Sequence, residues 1–299
     1  MEVRCIYEAR SALGESALWS PKEQALYWLD QMRPEIHRLD PATEKDVKFA
    51  FDLPPQLGGL VPCKNGGMAL AAADGITLLS PDMKSRTTLV NPIAGRPNLS
   101  FNDAKCDRQG RLWAGTTDRL EKEPLGRLYR IDPDGTATSV ADGFICSNGP
   151  SFSPDGRIMY HTCSSERVIN AYDIDLRTGQ ASNRRVFARI DPTAGVPDGS
   201  TVDAEGYLWT THWGGWRITR YAPDGRIDRE IPIPVKNVTS CAFGGATMDT
   251  LFVTTASAEN DNGRWVYMDD AGFDAAPLTG GIFAIDVGVK GLPEPFFGV

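Results

Sequence analysis

Val202-Asp203-Ala204-Glu205-Gly206-Tyr207-Leu208-Trp209 is the most telling stretch of the sequence, because nearly the same phrase returns along the chain. It reappears as Cys106-Asp107-Arg108-Gln109-Gly110-Arg111-Leu112-Trp113 and as Phe152-Ser153-Pro154-Asp155-Gly156-Arg157-Ile158-Met159-Tyr160. Trp19-Ser20-Pro21 through Tyr27-Trp28 and Phe243-Gly244-Gly245 through Leu251-Phe252 are weaker copies. Each phrase is a strand end, a polar turn and an aromatic-rich second strand, as a hairpin requires. A third strand follows, usually closed by an Asp-Pro or Pro-Asp-Gly turn, as at Tyr129-Arg130-Ile131-Asp132-Pro133. A period of roughly 40–50 residues holding about four strands is that of a propeller blade. Six copies begin near Ser16, Gly59, Asn102, Asn148, Asp198 and Thr239. One four-stranded sheet cannot cover both its faces, whereas blades stacked in a ring bury them and leave few free edges. No helix-period segment of useful length interrupts the pattern, which disfavours a TIM barrel. The expectation is all-β: a six-bladed β-propeller with four-stranded antiparallel blades around a central channel, one domain over residues 1–299. The less regular stretch from Ala258 to Pro277 reads as a long loop at a pocket rim.

Composition narrows the partners. The formal net charge is -8, and no Lys/Arg-rich run offers a footing for nucleic acid or an anionic membrane. The opening MEVRCIYEAR lacks the apolar core of a secretory signal, and no apolar run approaches transmembrane length. The six cysteines (Cys5, Cys63, Cys106, Cys146, Cys163, Cys241) include no CxxC pair and read as reduced, mostly buried small hydrophobes. These features describe a soluble, cytoplasmic protein, a monomer or small homo-oligomer, acting on a small molecule.

Four polar motifs share one phase of the repeat: Gly14-Glu15-Ser16, Asn102-Asp103-Ala104, Asn148-Gly149-Pro150 and Asp198-Gly199-Ser200. From Glu15 to Asn102, Asn148 and Asp198 the gaps are 87, 46 and 50 residues, the first close to two of the others. Asn or Asp before Gly is a common turn former. These motifs, however, stand just ahead of the first strand of a blade, unlike Asp107, Asp134, Asp155 and Asp224, which fall in turns. Equivalent places in a ring converge on its axis. A Glu, an Asn and an Asp gathered there supply two negative charges and an amide oxygen, and a divalent cation removes the cost of burying the two carboxylates together. All-oxygen ligands suit Ca²⁺, Mg²⁺ or Mn²⁺, and Zn²⁺ and Fe²⁺ also accept carboxylates. Three protein ligands leave positions open for water and substrate.

Other chemistries find less support. His37 falls in a third strand as a surface or packing residue. His161 and His212 lie 13 and 14 residues after Asn148 and Asp198, in comparable second strands. Neither a G-x-S-x-G elbow nor a phosphate-binding glycine loop occurs. Trp213 and Trp216, beside Gly214-Gly215, are either blade packing or a pocket wall.

At these motifs the chain resembles the regucalcin (senescence marker protein)/gluconolactonase family, which includes bacterial sugar-lactone lactonases. The likeness runs through Leu13-Gly14-Glu15-Ser16-Ala17-Leu18-Trp19, Phe101-Asn102-Asp103-Ala104-Lys105, Ser147-Asn148-Gly149-Pro150, Pro197-Asp198-Gly199, Thr239-Ser240-Cys241-Ala242-Phe243-Gly244-Gly245 and Gly280-Gly281-Ile282-Phe283. It implies a six-bladed propeller in which Glu15, Asn148 and Asp198 hold one divalent metal ion (Ca²⁺, Zn²⁺, Mn²⁺ or Fe²⁺) and Asn102 helps position substrate. The implied reaction is lactone hydrolysis by metal-bound water, with Asp198 as general base and Asn102 and the metal holding the oxyanion. Asp103, Ser100, His212 and Trp213 complete the candidate substrate side. Sugar-lactone members usually carry an Arg where Ser100 stands, with Arg96 only nearby, and many carry an Asp where Cys163 stands. The substrate expected is a sugar lactone such as an aldonolactone or, given these departures, a less hydroxylated lactone or another ester-like compound. The alternatives are an ester or organophosphate hydrolase at the same metal, and a non-catalytic calcium-binding propeller.

Overall fold

Short runs of β-branched and aromatic residues between Gly, Pro and Asp turns pair with their sequence neighbours, because a tight turn returns the chain antiparallel to itself. In the computed structural model, residues 1–261 and 264–298 are described. After β1 (Val3–Tyr7), the first blade is β2 (Gly14–Ser20), β3 (Ala25–Asp30), β4 (Glu35–Asp40) and β5 (Lys45–Ala50). The second is β6 (Gly59–Pro62), β7 (Met68–Ala72), β8 (Gly75–Leu79) and β9 (Arg86–Val90). The third is β10 (Leu99–Cys106), β11 (Leu112–Asp118), β12 (Gly126–Ile131) and β13 (Ala137–Phe144). The fourth is β14 (Ser147–Phe152), β15 (Ile158–Cys163), β16 (Val168–Ile174) and β17 (Ala181–Arg189). The fifth is β18 (Val196–Val202), β19 (Leu208–Trp213), β20 (Arg217–Tyr221) and β21 (Ile227–Pro232). The last blade takes β22 (Val238–Gly244) and β23 (Thr250–Thr255); the chain then forms the hairpin β24 (Glu259–Asp261) and β25 (Arg264–Val266) and the helix α1 (Asp270–Ala275). It returns as β26 (Ile282–Asp286), and β1 supplies the fourth strand, in the order β22-β23-β26-β1. The fold is a six-bladed β-propeller of four-stranded antiparallel blades.

The chain divides into two units. One comprises Met1–Phe51 and Ile190–Pro293, with the first, fifth and sixth blades. Its core sets Trp209, Ile218 and Ile231 against Phe243, Val253 and Phe283, and stacks Trp19 on Phe252 at 5.1 Å. The other comprises Asp52–Arg189 and Glu294–Val299, with the second, third and fourth blades. There Val61, Ile76 and Phe297 pack with Phe101, Leu112 and Tyr129, while Trp113 and Leu128 meet Phe152 and Met159.

The repeated phrase has a mechanical reason. Asp203 Oδ1 accepts the turn amides of Glu205 and Tyr207, each at 3.0 Å, and its Oδ2 accepts Trp209 Nε1 at 2.9 Å and Arg220 Nη2 at 2.7 Å. Asp107 repeats this with the amides of Gln109 and Arg111, with Trp113 Nε1 at 3.0 Å and with Arg111 Nε at 2.6 Å. One carboxylate thus closes the turn and fixes the large aromatic of the next strand, its buried charge answered by an arginine.

The stretch from Ala258 to Pro277 is not the long loop expected. It carries the β24–β25 hairpin and α1, and Asn262 and Gly263 within it lie outside the described residues. The hairpin was hidden because Glu259-Asn260-Asp261 has no apolar alternation, and six helical residues are too few to show a period. The helix is nonetheless anchored: Asp269 Oδ1 accepts the Gly272 amide at 2.9 Å, and Phe273 is buried under the Arg10 guanidinium, 5.0 Å from the ring centre. Among the described residues no helix is long and apolar enough to cross a membrane.

Candidate active site

The polar motifs sit where the innermost strands break register. Pairing slips between Glu15 and Leu18, Phe101 and Asp103, Asn148 and Ser151, Pro197 and Ser200, and Val238 and Ser240. Each slip inserts one extra residue opposite the second strand, whereas β6 pairs with β7 without a break. A bulge unpairs a residue and re-aims the neighbouring side chain, so five of the six innermost strands turn their polar residue out of the regular pleat. Ser16 and Gly149, each directly after a candidate ligand, take positive φ values of 55° and 38°.

In the first unit, Glu15 on β2 and Asp198 on β18 are both 6% exposed. Glu15 Oε2 accepts the Ser16 amide at 3.1 Å. The strand β22 ties both neighbourhoods. Thr239 Oγ1 donates to Gly14 O, Ser240 Oγ accepts the Ala17 amide at 3.3 Å, and Thr211 Oγ1 lies 2.9 Å from Gly199 O and 2.6 Å from Thr239 O. Gly199 is required here by close approach: a Cβ on it would stand 2.8 Å from Thr239 O and 3.0 Å from Ser240 Cα. Thr211, Thr239 and Ser240 were not singled out from the sequence as site residues. The available signal was that Thr239-Ser240 opens the sixth blade in the phase of the other motifs.

In the second unit, Asn148 on β14 is held from two sides. Its Oδ1 accepts Asn102 Nδ2 at 2.7 Å, and its Nδ2 donates to Ser164 Oγ at 2.9 Å. Asn102 Nδ2 also donates to Ser147 O at 3.1 Å. Ser147 O can only accept, so the amide nitrogen must face it, and both Asn102 N–H groups are directed into the blade. That orientation departs from a role as oxyanion donor and makes Asn102 the residue that orients Asn148. Asp103 is likewise turned inward: its Oδ1 accepts the Ala104 amide at 2.7 Å and its Oδ2 the Gly149 amide at 2.8 Å. Burial pushes its carboxyl up to about 6, against the two amides, which favour the ionised form. Asp103 therefore braces the Asn148 bulge. Ser100 is fully buried, and its hydroxyl has no hydrogen-bond partner among the described residues.

The histidines separate. His37 packs flat on Trp28 at 4.5 Å and its Nδ1 meets Asp46 Oδ2 at 2.8 Å, so it is a packing residue. His161 Nε2 meets Ser147 Oγ at 2.7 Å, and the ring lies 4.6 Å from Phe144; burial lowers its pKa to about 3. His212 occupies the end of β19 opposite Pro197, with Nδ1 2.9 Å from Ala194 O. Trp213 packs edge-on against Trp265 at 6.0 Å, while Trp216 stands half exposed. Cys163 is buried, accepts Asn170 Nδ2 at 3.2 Å, and has its thiol pushed up to about 12 by desolvation. Among the described residues the six cysteines are unpaired.

Glu15, Asp198, His212 and Trp213 thus belong to one unit and Ser100, Asn102, Asp103 and Asn148 to the other. Among the described residues no group of three or more His, Cys, Asp and Glu could hold a metal. A set of two carboxylates and one amide oxygen is of a different kind, and it is hard and all-oxygen, as Ca²⁺ or Mn²⁺ prefer. Asn148 Oδ1 has a second lone pair beyond the one Asn102 occupies, so this oxygen suits such an ion.

This propeller, with an acid or amide at the bulge of successive blades, has known relatives. The profile of the SMP-30/Gluconolactonase/LRE-like region matches residues 13–257, and the chain belongs to that family. It is 35% identical to the 6-deoxy-6-sulfogluconolactonase of Pseudomonas putida, covering 99% of this chain and 98% of that one. It is 34% identical to the pentonolactonase of Haloferax volcanii, over 98% and 97%. The crystal structure of regucalcin from Agrobacterium tumefaciens, described as a calcium-binding protein, superposes with a TM-score of 0.91 at 27% identity, over 100% and 98%.

Proposed function

We propose that the protein is a divalent-metal-dependent lactonase, with Glu15, Asn148 and Asp198 as the ligands of one ion. The observation that carries this reading is the bulge that all three motifs share, in a chain whose relatives include named lactonases. When bound, the cation supplies Lewis acidity, withdrawing charge from a lactone carbonyl and making water easier to deprotonate.

The chain's residues do the rest. Asp198 takes a proton from the attacking water as its oxygen bonds to the carbonyl carbon. Collapse of the tetrahedral adduct breaks the ring C–O bond, and Asp198 returns the proton to the departing ring oxygen, leaving a hydroxy acid. Asn102 and Ser164 fix the amide of Asn148, and Asp103 fixes its bulge. In this reading Ser100, His212 and Trp213 face the substrate, and Asn102 acts on it through Asn148. A pH-indicator screen of metal-reconstituted protein against sugar and non-sugar lactones tests it. Turnover of at least one lactone that disappears on chelation supports it; indifference of every lactone to the protein refutes it.

The same oxygen set also suits Ca²⁺ held without catalysis, a reading favoured by the calcium-binding description of the regucalcin structure. It predicts tight Ca²⁺ binding in calorimetry and turnover of none of the lactones.

A further inference from the structure

The third blade carries a cavity that the lactonase reading does not use. It measures about 530 Å³, within the range of small-molecule sites, and is lined by Arg96, Pro97, Leu99, Leu125, Arg127 and Asp142. All six belong to the second unit, so the cavity is complete within it.

Its walls are fixed by their own hydrogen bonds. In the loop before β10, Asn91 Oδ1 accepts the Ile93 amide at 3.1 Å, and the amides of Arg96 and Leu99 donate to Ile93 O and Arg96 O, each at 3.0 Å. Buried Asp118 holds the loop after β11, its Oδ2 accepting the amides of Lys122 at 2.8 Å and Glu123 at 3.0 Å. Arg119 N donates to Asn98 O at 2.8 Å and ties the two loops together. Thr116 Oγ1 accepts the Arg127 amide at 2.8 Å, which fixes the root of that side chain. Gly95 and Gly143 also border the cavity, and a Cβ on either would meet nothing within 4 Å, so the space beside them is open.

Two arginines line this space, and among the described residues neither guanidinium has a hydrogen-bond or ion-pair partner. Further along β12 the same side chain is answered: Arg130 Nη2 meets Asp132 Oδ2 and its Nη1 meets Thr178 O, each at 2.9 Å. Asp142 stands across from Arg127 in the β12–β13 register, but no ion pair joins them. Arg127 is half-buried, so its charge is screened less by water and gains more from a counter-ion than a fully solvated one. A chain of net charge -8 does not gather anions indiscriminately. We infer that the cavity binds one tetrahedral oxyanion, the phosphate or sulfonate group of a small molecule, between Arg96 and Arg127. Planar guanidiniums offer such oxygens paired N–H donors. The Asp142 carboxylate in the wall opposes a second negative group, which selects against a polyanion. Leu99, Pro97 and Leu125 give the rest of the ligand apolar surface. From Leu99 in this wall, β10 reaches Asn102 in three residues, roughly 10 Å. The oxyanion is therefore either the far end of a lactone held at Asn148 or part of a separate small molecule.

Calorimetric titration of the whole protein with glycerol 3-phosphate, and with glycerol as the uncharged control, tests the site. Expected is binding of the phosphate ester alone, weakened roughly tenfold or more by Arg96→Gln and by Arg127→Gln. Arg157→Gln, at an exposed turn of the fourth blade, removes the same charge elsewhere and should leave the affinity unchanged. No binding at millimolar phosphate ester, or an affinity that the two cavity variants alter no more than Arg157→Gln does, overturns the inference. A second arm rests on the lactonase reading and compares kcat/KM for 6-phospho-D-glucono-1,5-lactone with that for D-glucono-1,5-lactone. A fall in this ratio in Arg96→Gln and Arg127→Gln supports the far end of the substrate as the occupant. An unchanged ratio, with phosphate-ester binding weakened, supports a separate ligand. If the wild-type protein opens neither lactone, the lactonase reading fails, while the titration still decides the cavity.

Discussion

Asn102 Nδ2 lies 2.7 Å from Asn148 Oδ1, so a residue of the third blade orients the amide oxygen of the fourth. Its second donor is fixed on Ser147 O. Asn102→Asp places carboxylate oxygens against two acceptors, whereas Asn102→Ala only removes the support. Both weaken binding of the divalent ion, by roughly 10–100-fold as for other residues behind a metal ligand. Asn102→Asp is the worse of the two, and calorimetric titration of Mn²⁺ or Ca²⁺ measures the order.

Asp103 links stability to pH. Its folded pKa, about 6, lies above the ordinary 3.8. The folded state therefore holds the proton more tightly, and this contribution is full below about pH 3.8 and lost as pH rises through about 6. Asp103→Asn removes the titration and leaves one backbone amide poorly answered. It costs about 1–3 kcal/mol at low pH. Urea unfolding at pH 4 and pH 7 should show a smaller penalty for the variant at the higher pH.

His161 acts in the opposite sense. Its folded pKa of about 3 is depressed from 6.5, so its contribution is full above pH 6.5 and lost as pH falls toward 3. His161→Gln cannot take up a proton and should flatten the decline in Tm between pH 6.5 and pH 4. An unchanged slope would show that the ring is not the group that titrates.

Gly199→Ala tests the packing behind Asp198. The added methyl must push β18 from β22, at the point where its Cβ would stand 2.8 Å from Thr239 O. A cost of about 1–3 kcal/mol in stability is expected from such overpacking. Because the shift is adjacent to Asp198, turnover should fall more than stability explains, by about tenfold or more, in assays run well below the variant's Tm.

The blades were legible because one carboxylate, Asp203 or Asp107, closes a turn and binds the indole of the next strand, which leaves a spaced Asp–Gly–Trp phrase. The candidate ligands were legible through their shared phase. The bulges that aim them were not, since one extra residue per strand leaves the apolar pattern nearly intact. The pairing of β1 with β26 was equally hidden, because Val3↔Ile285 joins residues from opposite ends of the chain. His161 and His212 looked equivalent at 13 and 14 residues from their motifs, but in a strand one residue changes the face. The direction of the Asn102 amide was beyond reach, because the Ser147 carbonyl that decides it belongs to another blade.

If Asp198 moves the proton in a metal-assisted lactone opening, the rate of Asp198→Asn beside wild type, both loaded with Mn²⁺, on a lactone that wild type opens must show it. Asn keeps a ligand oxygen and removes the base. Expected is a loss in kcat of roughly a hundredfold or more with the metal still bound in calorimetry. Full activity in the metal-loaded variant would contradict it.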